Sequence, residues 1–281
     1  MGGINMGNVE LITSFKSYVD EMFTTESKRS LITNQDFNFI NAKTVKVYKV
    51  STAKMNDYNR TRALNGSRYG DVQTLDATTE TMTLTKDRSF TFEIDKLDQE
   101  ETANVLESGK ALARQLREVV IPEIDKYTYN VMCENAGTTV TSALNTSNVY
   151  NAILEATNIL DDNEVPETNR FLLVTPDTYL LMKKSKDITM DTDIGNELRL
   201  KGVIGLIDGM QVIKVPKGKL PENIGFLVAH PVATVNPVKL EEYKVHKEPQ
   251  GISGSLVEGR ICYDAFVLDN KAKAIYLHKI A

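Results

Sequence analysis

The sequence predicts an α+β fold, and three observations carry the prediction. A β-rich excursion early in the chain leads into one very long amphipathic helix. A segment of alternating helix and strand signals then ends in a strand-rich tail. The 281 residues are 41% hydrophobic and 25% charged. That is enough apolar material for one large domain or two moderate ones, and too much for a disordered chain.

In the first segment Ile12, Phe15, Val19, Met22 and Phe23 recur at helical spacing and make one apolar stripe. The stripe suits a helix packed on its own domain and an arm laid on a neighbouring subunit equally well. Val45 to Val50 is rich in β-branched residues; Thr78 to Leu84 and Arg88 to Ile94 also read as strands, with Phe90, Phe92 and Ile94 on one face. Between these runs lies the polar, glycine-containing stretch Asn56 to Gln73, which carries Arg60, Arg62 and Arg68. A loop this long inside a compact domain usually has a task. A two-stranded ribbon is also only marginally stable alone in water. The ribbon is therefore expected to reach a partner surface on another molecule, with Arg60, Arg62, Arg68 and Tyr69 at the contacting tip.

Asp95, Asp98, Glu100 and Glu101 place acid at the start of the long helix, where its dipole favours negative charge. Val105, Leu106, Leu112, Leu116, Val119 and Val120 supply its apolar face, and Ile124, Tyr127, Val131 and Met132 continue it to a stop at Gly137. Unbroken from Asp98 to Ala136, it would be about 58 Å long at about 1.5 Å per residue. Pro122 is expected to kink or interrupt it, because proline lacks the N–H that a helix needs. A helix of this length reads as a strut. Thr138 to Ser147 reads as a polar linker. Val149, Ile153, Ala156 and Leu160 then mark a helix, Arg170 to Val174 a short buried strand, and Thr175-Pro176 a capped helix start. Gln211 to Val215 and Gly225 to Ala229 fit strands of a mixed sheet. Lys239 to Lys247, Arg260 to Leu268 and Ala274 to His278, the last after a turn at Asn270, fit further strands.

The charge and motif content excludes several function classes. A formal net charge of −5 with no long basic run argues against tight or sequence-specific nucleic-acid binding, although a local basic patch can oppose the net sign. Cys133 and Cys262 are too few for a disulfide framework and read as buried, reduced thiols. His230, His246 and His278 lie out of helical reach of one another, so no paired-histidine metal spacing exists. Gly202, Gly205 and Gly209 match no phosphate-binding loop and read as turn glycines. Asp191-x-Asp193-x-Gly195 opens like a calcium loop, but Asn196 and Gly202 stand where that loop needs glycine and glutamate. Glu123 and Asp125 read as solvated or paired carboxylates. No nucleophile elbow is present. The N-terminus lacks a basic, then apolar, secretion signal, and the most apolar stretch, Ile224 to Val235, is broken by His230 and Pro231. No catalytic residue, cofactor, metal or membrane span is expected.

Five runs, in this order and spacing, resemble the tailed-phage major capsid protein family with the Hong Kong 97 fold. They are DRSFTFEIDKLDQEET (Asp87 to Thr102), VVIPEIDKYTYNVMCENAG (Val119 to Gly137), VPETNRFLLVTPDTYLLMKKS (Val165 to Ser185), VIGLIDGMQVIKVP (Val203 to Pro216) and GRICYDAFVLDNKAKAIYLHK (Gly259 to Lys279). The resemblance spans nearly the whole chain and rests on order and spacing, since no single run is diagnostic. It implies an N-terminal arm over 1–42, contacting a neighbour through Phe15, Val19, Met22 and Phe23, and an extended β-loop over 43–95. It also implies a peripheral domain with a spine helix over 96–146, a mixed α/β axial domain over 147–238, and return strands of the peripheral domain over 239–281. Loops near Asp191 to Gly209 would surround the ring centres.

The implied function is a shell subunit that assembles through pentamers and hexamers around a phage genome. It would be made in the host cytoplasm and would work with a separate scaffolding protein, unless the chain is already a mature form, and with a portal. Contact with packaged DNA would be weak and non-specific. The family's isopeptide cross-link is not expected, because no lysine lies between Lys54 and Lys86. The nearest alternative is the shell of an encapsulin-type nanocompartment.

Overall fold

The structure is a computed structural model that describes residues 28–34, 44–50, 52–60, 68–75, 77–96, 108–186, 188 and 203–281. The chain divides into two compact units, Phe39–Leu84 on one side and Met1–Asn38 with Thr85–Ala281 on the other. In chain order the main elements are β1 (Thr44–Val50), β2 (Ala77–Thr83), β3 (Lys86–Asp95), α1 (Ser108–Gln115), a π-turn at Leu116–Val120, α2 (Ile121–Glu134), β4 (Thr138–Thr141) and α3 (Val149–Asp162). Then come β5 (Phe171–Val174), α4 (Pro176–Lys184), β6 (Val203–Ile207), β7 (Met210–Lys214), β8 (Ile224–Ala229), β9 (Thr234–Val235), β10 (Val238–Lys247), β11 (Gly254–Tyr263), β12 (Phe266–Val267) and β13 (Ile275–Lys279).

The smaller unit is the expected ribbon. β1 and β2 pair antiparallel in unbroken register from Thr44 opposite Thr83 to Val50 opposite Ala77. In the larger unit β3 does not return along this ribbon. It pairs instead with β11, which also pairs with β10, in a three-stranded antiparallel sheet. As the alternation predicts, Phe90, Phe92 and Ile94 share the inward face of β3, with the rings of Phe90 and Phe92 stacked at 6.3 Å.

The long helix packs on this sheet. Leu112, Leu116, Val120, Ile121 and Ile124 form one core with Val257, Ile261 and Tyr263. From Ser108 to Glu134 the rod is about 40 Å long; the expected start, 97–107, lies outside the described residues. Pro122 does not end it. The turn before the proline widens, so that the Ile121 N–H donates to Leu116 O, five residues back, and α-geometry resumes at once. A wider turn relieves the clash between a proline ring and the preceding carbonyls.

A six-stranded mixed sheet runs in the order β4-β13-β8-β5-β7-β6. β5 and β8 are buried at every position, which is why they read as continuous apolar runs rather than as alternation. α3 buries Val149, Ala152, Ile153, Ala156 and Leu160, the stripe its spacing predicts. α4 begins at the Thr175 cap, whose hydroxyl accepts from Thr178 N at 3.3 Å.

Two readings need correction. Thr138 to Thr141, read as linker, is edge strand β4, parallel to β13; its polar composition suits an edge position. Gly205 lies within β6 and is not a turn residue, whereas Gly209 is one. Asp208 and Gly209 both have positive φ, at 47° and 75°, and close the β6-β7 hairpin in the type I′ manner. Gly202 lies outside the described residues. Of the strands of 239–281, β10 and β11 lie with the long helix, and β13 sits between β4 and β8 in the six-stranded sheet.

Candidate assembly surfaces

Two strands cannot bury both of their faces against each other, so the ribbon unit is where contact with another molecule is to be sought. Its distal loop is held by its own polar groups. Lys54 N donates to Gln73 Oε1 at 3.0 Å, Asn59 N donates to Arg68 O at 3.0 Å, and the Asn56 amide donates to Tyr69 O at 3.3 Å. Gly70 has φ of 86°, and a Cβ there would sit 2.6 Å from the Asn56 side chain. The rings of Tyr58 and Tyr69 meet edge-to-face at 5.1 Å.

This loop presents Met55 (100% exposed), Val72 (93%), Tyr69 (78%), Leu75 and Tyr58 to solvent. A single exposed apolar side chain needs no explanation, but a group of them on one small unit is uncommon on a surface that faces water alone. Of the residues singled out in sequence, Arg60, Arg68 and Tyr69 are exposed, with Arg68 and Tyr69 bonded opposite Asn59 and Asn56. Arg62 lies outside the described residues, as do Phe15, Val19, Met22 and Phe23. Met55, Val72 and Leu75 give no signal in sequence because they are scattered among polar residues and show no periodicity.

Where the larger unit resumes at Thr85, one carboxylate gathers the chain. Asp264, 3% exposed, accepts from Thr85 N at 2.8 Å, Thr85 Oγ1 at 2.7 Å, Tyr127 OH at 2.9 Å and Ala265 N at 2.8 Å. Its backbone carbonyl accepts from the Asn236 amide at 2.6 Å. It therefore ties the start of β3 and helix α2 to the end of β11. Burial, then the bond to Asp264, pushes the Tyr127 phenol up to about 12. Glu123 accepts from Tyr263 OH at 2.9 Å and pairs with Arg88 at 3.1 Å. Asp125, 1% exposed, pairs with Lys219 at 2.9 Å. The adjacent carboxylates of α2 are thus structural and point at different partners.

Among the described residues no group of three or more His, Cys, Asp or Glu side chains converges as a metal site, and no helix is long and apolar enough to cross a membrane. Asp191, Asp193 and Gly195 lie outside the described residues. Cys133 and Cys262 are buried and form no disulfide among the described residues, and burial pushes the Cys133 thiol up to about 12. Such a thiol is a packing residue rather than a nucleophile.

His278 is buried on β13, between edge strand β4 and β8, and stacks on Phe226 at 4.8 Å. Its Nε2 donates to Ser142 O at 3.3 Å, while the buried Nδ1 has no hydrogen-bond partner among the described residues. Burial lowers its pKa, against opposing contributions from Ser142 O and Glu155. Burial also lowers that of His230, whose Nδ1 accepts from Val232 N. With folded pKa values below the ordinary 6.5, the unfolded chain binds protons first. Thermal stability should therefore be flat above about pH 7 and decline as pH falls below about 6.5, and His278→Gln should flatten part of that decline. Melting curves taken at half-unit steps of pH check this.

No family model matches the sequence, and no curated protein does. Solved structures do match. A chain of Mycobacterium phage Che8 is 18% identical with a TM-score of 0.68, over 89% of this chain and 90% of that one. A chain from the capsid of the cyanophage P-SCSP1u is 13% identical with a TM-score of 0.60, over 85% and 84%. A virus-like particle from Pyrococcus furiosus is 8% identical with a TM-score of 0.56, over 96% of this chain and 100% of that one. At these identities the likeness is one of fold, and it extends over 85% of this chain or more. The chain has the α+β Hong Kong 97 capsid fold that its sequence resembles.

Proposed function

We propose that the protein is a major capsid protein, a non-enzymatic subunit that assembles through pentamers and hexamers into the icosahedral shell around a phage genome. The observation that carries this reading is the ribbon. It is a separate two-stranded unit whose distal loop exposes Met55, Tyr69, Val72 and Leu75, within a chain that has a capsid fold. Covering those side chains on neighbouring copies gives each subunit a reason to associate. Repeated head-to-tail contacts close into rings, and rings close into shells. Arg60, Arg62, Arg68 and Tyr69 would make the polar part of the ribbon contact. The arm residues Phe15, Val19, Met22 and Phe23 would make a second one.

In this reading 1–42 is the arm, 43–95 the extended loop, 96–146 and 239–281 the peripheral domain, from which β4 and β13 reach into the six-stranded sheet, and 147–238 the axial domain. The subunit is made in the host cytoplasm, works with a separate scaffolding protein and a portal, and resides in the virion. The encapsulin-type alternative is favoured only by the likeness to the virus-like particle chain, which is matched over its whole length.

Size-exclusion chromatography of the full chain, with negative-stain microscopy of the heaviest fraction, tests the reading. Closed shells or pentamer and hexamer rings are expected, and nucleic acid inside particles made in the presence of phage would separate the capsid from the cargo compartment. On a denaturing gel the particles should give only the 31.4 kDa chain, because no lysine lies between Lys54 and Lys86 to form the family's cross-link. A strictly monomeric chain, with or without its scaffold, would overturn the reading.

A further inference from the structure

Lysines from separate segments converge at one place in the larger unit. Lys28 Nζ donates to Lys214 O at 2.8 Å, beside the Lys219–Asp125 pair. The Lys214 ammonium lies 5.2 Å from the centre of the Tyr179 ring, and that of Lys183 lies 5.7 Å from it. Lys217 pairs with Asp177 on the first turn of α4. Five lysines are thus set against two carboxylates, an excess of positive charge in a chain whose formal net charge is −5.

The excess is felt locally. Burial first, then the ammonium of Lys219 and, after partial compensation by Asp125, that of Lys214, hold Lys28 below the usual lysine range. Lys183 and Lys214 are exposed and have no carboxylate partner among the described residues. Like charges held together in a folded protein are relieved by an anion that spans them. Ammonium groups on flexible stems around an aromatic ring suit the repeated charge and the bases of a polynucleotide more than they suit one small, rigid ligand.

We propose that the surface formed by Lys28, Lys183, Lys214 and Lys219 around Tyr179 is a docking site for the phosphate backbone of nucleic acid. The site binds without sequence preference, since lysine point charges on phosphates carry no sequence information. The choice of nucleic acid over an acidic peptide rests on the shell reading above, whereas the affinity for a polyanion does not. Binding is measured on the unassembled full-length chain, so its outcome is separable from whether shells form.

The test is fluorescence anisotropy of a labelled random-sequence duplex of about 20 base pairs, titrated from about 50 to 200 mM salt. The double variant Lys183→Gln, Lys214→Gln should bind about tenfold more weakly, with the salt slope reduced by about 2, since each phosphate contact contributes about 0.9. The control double variant Lys247→Gln, Lys273→Gln, at exposed positions elsewhere, should bind like the parent. Melting curves establish that both variants are folded. Absence of duplex binding by the parent, or equal binding and slope in the Lys183/Lys214 variant, would overturn the proposal. Displacement of the duplex by poly-glutamate as readily as by unlabelled duplex would also overturn it, and would assign the surface to an acidic peptide.

Discussion

Replacing residues 51–76 by Asn-Gly is expected to leave a folded subunit that no longer forms shells. Val50 and Ala77 are directly opposite each other, so a two-residue type I′ turn can close the shortened hairpin without changing its register. The deletion removes Met55, Tyr58, Tyr69, Val72 and Leu75, all exposed in the isolated chain, and none of the residues of the two apolar cores. The melting temperature should therefore change little. Each large apolar side chain covered by a neighbour contributes about 1.5–3 kcal/mol. Losing even two of them raises the concentration needed for assembly by about two to four orders of magnitude, at about 1.4 kcal/mol per tenfold. Light scattering against protein concentration measures this directly. A shortened chain that still assembled at the parent's concentration would show that the ribbon is not what joins the subunits.

The second large effect is expected at Asp264. Asp264→Ala deprives Thr85 N, Thr85 Oγ1, Tyr127 OH and Ala265 N of their acceptor in a nearly closed site. Hydrogen bonds to a charged group are worth about 1.5–3 kcal/mol each, and the half-buried Tyr127 hydroxyl and the buried Ala265 N–H would keep part of their desolvation cost. Allowing for non-additivity, the loss should be about 3–5 kcal/mol, or roughly 6–20 °C in melting temperature at about 2–4 °C per kcal/mol. Asp264→Asn keeps an oxygen for part of the network and should lose less. The Tyr127 phenol supplies an independent signature. Without the carboxylate its pKa should fall from about 12 toward the ordinary 10, read from the ultraviolet absorbance of the tyrosinate. An unchanged titration would mean that burial alone sets that value.

Neither residue announces itself in the sequence as a structural hub, and the reason is general. Local pattern reports what a segment does with its own backbone and which face it turns inward. The inward face of β3, the stripe of α3 and the Thr175 cap were legible because each is fixed by spacing within a few residues. Asp264 acts on partners 137 and 179 residues away, so its role exists only once β3, α2 and β11 are together. Arg170 is the same kind of case. In sequence it is only the first residue of a short strand, yet its side chain is 2% exposed, bonding Pro166 O at 2.9 Å and Val165 O at 2.5 Å and pairing with Asp161 at 2.7 Å.

The lysine surface shows the limit most plainly. Charge counted along the chain shows no basic run, and the sum is acidic. Lys28, Lys183, Lys214 and Lys219 meet because β7, α4 and the turn after Val215 pack at the same edge as the segment that carries Lys28.

By itself the sequence determined the α+β class, the strut-like helix, the ribbon, the buried runs of the central sheet and the order of parts that resembles capsid subunits. Each of these is written in local periodicity or in the succession of segments. The tertiary structure alone decided that β3 leaves the ribbon for β11, that β4 and β13 extend the sheet of β8 and β5, and that the helix passes Pro122 through a widened turn. It alone also decided which distant charges share a site. Strand partners and charge neighbours are contacts between residues far apart in sequence. The energy that selects them comes from packing and desolvation, which no single segment encodes.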